Sequence, residues 1–239
     1  MDRPPLLHYQ DLAQLVDHSL VKPELTDVQV LEGLDLAKRY EVACVSVRPC
    51  DIDVAVRTLQ GSNVKPGSVA GFPHGSQSTS TKLFETRELL RRGAKEIDMV
   101  IAISKMLSRE FQFVQTELTQ MAETCHKEGA ILKVIIETGY LTDELKIIAC
   151  RCCERAEVDF VKTSTGFAPA SYTIDDLKLL RKYLPEEIGV KAAGGLRCVD
   201  DVMRVYEAGS SRIGTTSTAV ILDEWKARLA AASGATTSA

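Results

Sequence analysis

The stretch VDFVKTSTGF, residues 158–167, is a short apolar run closed by a lysine, three hydroxyl residues and a glycine, and GVKAAGGLR (189–197) again sets a lysine in an apolar stretch ahead of glycines. Reading both as strands frames the rest of the chain. Runs of the same character recur at LVDHSLV (15–21), VACVSV (42–47), SVAGF (68–72), EIDMVIAI (96–103), LKVIIET (132–138), DFVKT (159–163), GVKAA (189–193) and SRIGT (211–215). Helical signals lie between them. Thr26 with Gln29, and Thr173 with Asp176, have the spacing of a capping box ahead of apolar residues three and four apart. Val199, Val202, Met203 and Tyr206 form a further stripe at helical spacing.

Strict alternation of strand and helix implies parallel strands, because a crossover must carry the chain back before each new strand begins. A doubly wound open sheet is the alternative, but no GxGxxG follows the first strand. The pattern therefore predicts an α/β protein of the (βα)8 TIM-barrel class, a single domain over residues 1–239 with a frayed tail at 231–239. Chemistry in such a barrel sits at the C-terminal ends of the strands, where both lysines fall.

Side chains alternate along a strand, so Phe160 and Lys162 share one face and Val161 takes the other. If Val161 meets the helices, Lys162 points into the barrel, and the same count turns Lys191 and Ala193 inward on the next strand. A lysine nucleophile must be uncharged, against an ordinary pKa of about 10.4. A like charge about 4 Å away, at an effective dielectric near 20, contributes roughly 4 kcal/mol, close to the roughly 4–5 kcal/mol that a pKa near 7 requires. One lysine is thus expected to be the chief cause of the other's depression, with desolvation helping. The plainer alternative is a pair of lysines that snorkel to solvent.

Asp98 is a lone charge between Ile97 and Met99, and reads either as an ion-pair partner or as a group that moves protons between water and a substrate carbon. Asp17 shares a face with Ser19 and is expected near the barrel mouth, or else as a cap on a neighbouring amide. Gly194 and Gly195 follow the seventh strand, and GTTST (Gly214 to Thr218) follows the eighth, the pair of loops that binds phosphate in many such barrels. Backbone amides there, with the hydroxyls of Thr216 and Ser217, suit an anion, and Thr165 and Gly166 are expected to complete the cradle. No HxH or HExxH spacing gathers metal ligands, so no catalytic metal and no cofactor are expected.

Lys and Arg number 29 against 33 Asp and Glu, a formal charge of -4, which gives no basic stripe for nucleic acid. Seven cysteines without a secretory spacing, and an N-terminus without an apolar leader core, read as a reduced, cytoplasmic protein. Cys150, Cys152 and Cys153 fall on a helical pattern and read as small packing residues rather than metal ligands. No apolar run approaches the roughly 20 residues of a membrane span.

Taken together, DHSLVKPELT, ACVSVRP, AGFPHG, EIDMV, LKVIIETGYL, DFVKTSTGF, VKAAGGLR and SRIGT resemble the deoxyribose-phosphate aldolase family, class I aldolases of deoxynucleoside catabolism, in the same order along the chain. The resemblance implies Lys162 as the Schiff-base lysine, Lys191 as the neighbour that lowers its pKa, and Asp98 as a partner in water-mediated proton transfer. It also implies a sugar phosphate and aldehydes as ligands, and a homodimer, for which no interface is derivable from the sequence. The chain departs from the family where IAIS stands for INIG, where APASYT replaces a glycine-rich stretch, where GTTST stands for GTSSG, and in lacking a C-terminal tyrosine. A Schiff-base aldolase acting on a ketose phosphate, and a noncatalytic sugar-phosphate-binding barrel, are the rival readings.

Overall fold

The computed structural model describes residues 3–236. Eight strands, β1 (Val16–Leu20), β2 (Cys44–Val47), β3 (Lys65–Ala70), β4 (Glu96–Val100), β5 (Ile131–Ile135), β6 (Phe160–Lys162), β7 (Gly189–Ala193) and β8 (Arg212–Thr215), pair in parallel in chain order, and β8 closes onto β1. Helix α1 (Tyr9–Ala13) precedes the barrel. The crossovers carry α2 (Asp27–Tyr40), α3 (Ile52–Leu59), α4 (Thr79–Arg91), α5 (Ile103–Leu107) with α6 (Phe111–Lys127), α7 (Asp143–Arg155), α8 (Ile174–Tyr183) and α9 (Val199–Glu207), and α10 (Thr218–Thr236) follows β8. This is the expected (βα)8 barrel. No described helix is long and apolar enough to cross a membrane.

Each expected run overlaps a strand, but the ends differ for local reasons. β3 starts three residues early, at Lys65, through a Pro–Gly pair that sequence reading treats as a break. Gly67 is needed there, because a Cβ at that position would lie 2.7 Å from the Cys44 sulfur. EIDMVIAI stops at Val100, since Ile103 already opens α5. Both capping boxes form, Thr26 with Gln29 on α2 and Thr173 with Asp176 on α8. The tail expected to fray is helical through Thr236; residues 237–239 lie outside the described residues.

The two faces of the barrel wall differ in chemistry. Val45, Ile97, Met99, Leu132, Val134, Val161, Val190 and Ile213 are buried against the helices and form a continuous core with Leu34, Ile52, Leu89, Leu118, Leu180 and Val202. Cys150, Cys152 and Cys153 pack into it from α7. At about 1.5–3 kcal/mol per large apolar side chain, this shell carries the hydrophobic stabilisation. The alternate positions face inward and are largely ionic: Asp17, Glu96, Asp98, Lys133, Lys162, Lys191 and Arg212, all but Arg212 buried. Room for these long chains comes from inward glycines. A Cβ on Gly189 would come within 2.3 Å of the Phe160 ring, which packs beneath the Arg212 guanidinium.

Candidate active site

Register sets the first contact. Lys162 on β6 pairs with Lys191 on β7, and Asp98 on β4 pairs with Lys133 on β5. Asp98 Oδ2 accepts hydrogen bonds from both Lys162 Nζ and Lys191 Nζ at 2.7 Å, and Oδ1 accepts from Lys133 Nζ at 3.0 Å. The structure thus brings together the three residues that the strand parity singled out. Asp17 is not a backbone cap. Its Oδ2 faces Lys191 Nζ at 2.5 Å and Lys133 Nζ at 2.9 Å, and its Oδ1 accepts from Arg212 at 2.8 Å. Glu96 Oε2 closes the network against Lys133 at 2.5 Å and Arg212 at 3.5 Å. Three carboxylates therefore face four cations through direct ion pairs.

Burial and these pairings together set the titration of the group. Burial alone would raise the carboxyl pKa of Asp98, but Lys133, Lys162 and Lys191 together outweigh it and hold Asp98 well below the usual carboxylate range. Asp17 is held down likewise: burial opposes, and Lys133, Lys191 and Arg212 prevail. Lys133 goes the other way, because Asp17, Asp98 and Glu96 overcome its burial and keep it charged. Lys162 is pushed down to about 8. Burial is the first cause and the Lys191 ammonium a secondary one, with Asp98 opposing. That corrects the expectation that a neighbouring lysine would dominate: the oxygen that both ammoniums share offsets much of their repulsion.

Above the ion layer lies a cleft of about 420 Å³. Lys162 and Lys191 reach its floor together with Asp17 and Ser19. Thr165, Gly166, Gly194, Gly195, Gly214, Thr216 and Ser217 line its other side, the exposed Arg197 adds positive charge, and the exposed Lys22 is paired with Glu24 at 3.9 Å. Gly166, Gly194 and Gly195 have φ of +85°, +109° and +79°, a region open to glycine, which lets backbone amides crowd one spot. The N-terminus of α10 begins at Thr218, directly after this loop. One expected donor is already engaged, since Ser217 N–H bonds Thr215 Oγ1 at 2.9 Å. Thr165 is engaged too: its N–H and hydroxyl both donate to Glu137 Oε2.

Among the described residues, Asp17, Cys44 and Glu96 bring ligand-type atoms within 4.8 Å of one another. They make a poor cation site, because Lys133 and Arg212 already pair with both carboxylates and burial pushes the Cys44 thiol well up. His18, the histidine nearest the barrel in sequence, points the other way: Nδ1 lies 2.8 Å from the Thr218 hydroxyl, and burial lowers its pKa to about 4.

Sequence reasoning missed Lys133, Glu96, Arg212 and Glu137. Lys133 and Glu96 carry the same signal as Asp98, a charge on the inward parity of an apolar strand, and Lys133 is the direct register partner of Asp98.

A family model described as DeoC/LacD family aldolase matches residues 12–235. The chain is 42% identical over 217 residues to deoxyribose-phosphate aldolase of Caldanaerobacter subterraneus subsp. tengcongensis, covering 90% of this chain and 94% of that protein. It is 40% identical over 221 residues to the protein of the same name from Rhodopirellula baltica, covering 92% of each. Among solved structures, the tetrameric deoxyribose phosphate aldolase from Aeropyrum pernix superposes with a TM-score of 0.84 at 31% identity, over 92% of this chain and 93% of that one.

Proposed function

Because the chain belongs to the DeoC/LacD family of aldolases, we propose that it reversibly cleaves 2-deoxy-D-ribose 5-phosphate to acetaldehyde and D-glyceraldehyde 3-phosphate through a Schiff base on Lys162, in the breakdown of deoxynucleosides. The observation that carries this reading is Lys162 itself: a buried amine with its pKa lowered to about 8, lining a cleft that Gly166, Gly194, Gly195 and the Gly214–Ser217 loop also line.

Neutral Lys162 attacks the C1 carbonyl, and loss of water leaves an iminium. The C3 hydroxyl then loses its proton, the C2–C3 bond breaks, and its electron pair flows into the iminium to give an enamine while glyceraldehyde 3-phosphate departs. Protonation of the enamine at C2 and hydrolysis return acetaldehyde and the free amine. Asp98, held ionised, is suited to orient the water that relays protons to and from the intermediates, and Lys191 shares its oxygen. Gly166, Gly194, Gly195 and the Gly214–Ser217 loop hold the phosphate. For assembly we propose a homodimer, on family resemblance alone; light scattering distinguishes it from a tetramer. Seven cysteines, free among the described residues, support a cytoplasmic setting.

The test is borohydride reduction in the presence of acetaldehyde, followed by peptide mapping. The added ethyl group is expected on Lys162; an adduct on Lys191 would reverse the two roles, and no adduct would leave a binding barrel. Cleavage rates on deoxyribose phosphate against ketose phosphates separate the rival aldolase. Asp98→Asn should slow exchange of the acetaldehyde methyl protons by about 100-fold or more. An unchanged exchange rate would make Asp98 an ion-pair partner only.

A further inference from the structure

Glu137 is an awkward residue to find at the end of β5. It is 1% exposed, its backbone is left-handed at φ 53°, and its Oε1 is buried without a hydrogen-bond partner. A non-glycine residue in that conformation is strained by about 1–3 kcal/mol, and a buried carboxylate oxygen without a donor adds to the cost. Burial also raises its pKa. What Glu137 gains is concentrated on one residue 28 positions along the chain: Oε2 accepts from Thr165 N–H at 3.0 Å and from the Thr165 hydroxyl at 2.5 Å. The hydroxyl in turn accepts from Phe167 N–H at 3.1 Å. Three consecutive residues, Thr165 to Phe167, are thereby tied to the end of a different strand.

That short segment is a partition. Thr165, Gly166 and Phe167 line the cleft that holds Lys162, while Thr165 and Phe167 also line a second cleft of about 290 Å³, walled by Pro73, Ile103, Leu107 and Tyr140. Phe167 leans edge-on against Phe72 at 5.4 Å. Gly166 has nothing within 4 Å of where a Cβ would stand, so local packing at that residue does not hold the turn. The contacts that tie it down are the Glu137 carboxylate on Thr165 and the Phe167 ring on Phe72.

We propose that Glu137 is a positioning residue for the anion end of the site: by pinning Thr165 it fixes the Gly166 amide against the phosphate and keeps the two clefts apart, with no part in the carbon chemistry at Lys162. The inference rests on the reading above in taking a phosphate ester as the ligand. It does not depend on which carbon bond is broken.

Titration of the whole protein with inorganic phosphate, beside borohydride trapping of acetaldehyde, tests it. Glu137→Leu should weaken phosphate binding by about ten- to hundredfold, the scale of hydrogen bonds to a charged acceptor, while trapping stays within about threefold of the parent. Glu137→Gln should bind phosphate nearly as the parent does, because its amide oxygen can accept both Thr165 donors. Equal phosphate affinity in Glu137→Leu and the parent overturns the proposal, as does a loss of trapping that matches the loss of phosphate binding. A Glu137→Gln variant as weak as Glu137→Leu overturns the acceptor account, and a parent that takes up no phosphate overturns it outright. Should Glu137→Leu not fold, Thr165→Val against Thr165→Ser asks the same question from the other partner: only valine should weaken phosphate, and equal affinities overturn the proposal. Cleavage of deoxyribose 5-phosphate by the parent is scored separately, so a protein that binds phosphate through Glu137 and cleaves nothing defeats the proposed function alone.

Discussion

Lys82 and Lys162 are both buried lysines whose pKa values burial pulls down, and each lies within 2.9 Å of a carboxylate oxygen. Their surroundings nevertheless differ. Lys82, on α4 outside the barrel, has Glu117 to itself at 2.9 Å and donates to the Val100 carbonyl at 2.8 Å. Glu117 is in turn satisfied by Ala102 N–H and the Thr79 hydroxyl. Lys162 shares its single carboxylate oxygen with Lys191 and opens onto a cleft. Desolvation alone therefore does not make a nucleophile. On the proposed function, a divided counter-ion and a route for the substrate set Lys162 apart.

The sharpest break in the comparison is Lys162→Arg, whose always-charged guanidinium should abolish both adduct and cleavage, while Lys82→Met leaves an adduct that maps to Lys162. Adduct lost in both variants would mean that the two lysines are not functionally distinct. Next in size, Glu117→Leu strands the Lys82 ammonium and should cost about 3–5 kcal/mol in urea unfolding, much of it recovered by adding Lys82→Met. A loss below about 1 kcal/mol would show that Glu117 does not hold Lys82. The smallest effect is expected for Lys191→Leu. It removes a repulsion and leaves Asp98 undivided, so the midpoint for iminium formation should rise from about 8 by about one unit. Activity at pH 7 should then fall about tenfold and recover towards pH 9, as more Lys162 loses its proton. An unmoved midpoint would assign the whole depression to burial, and a loss uniform across pH would give Lys191 a direct part in proton transfer.

The barrel was legible because eight apolar runs stand at crossover spacing, and Lys162, Lys191 and Asp98 were legible because parity along a strand needs no tertiary information. Lys133 and Arg212 obey the same parity and lie in register with Asp98 and Lys191, but each stands near the start of its run rather than ahead of a loop glycine or hydroxyl cluster. The start of β3 was hidden for a different reason: Pro66 and Gly67 look like a break until the Cys44 sulfur is known to occupy the space a side chain would need. Glu137 was beyond reach, since its partner is 28 residues away and its left-handed backbone leaves no sequence signature. The ranking of causes behind the Lys162 pKa also required coordinates, because it depends on two ammoniums meeting one oxygen.

The excess of cations over carboxylates inside the barrel acts on the adduct as well as on the free amine. An iminium on Lys162 carries the positive charge that the neutral amine had shed, so forming it brings the surplus back beside Lys191 and Lys133. The enamine is neutral. Moving the electron pair of the breaking carbon–carbon bond into nitrogen discharges the site, and a transition state already part of the way there meets less of the unbalanced field than the iminium before it. On the proposed mechanism, the ionic filling of the barrel would favour scission in one direction and, on reversal, the enamine from which the new bond is made.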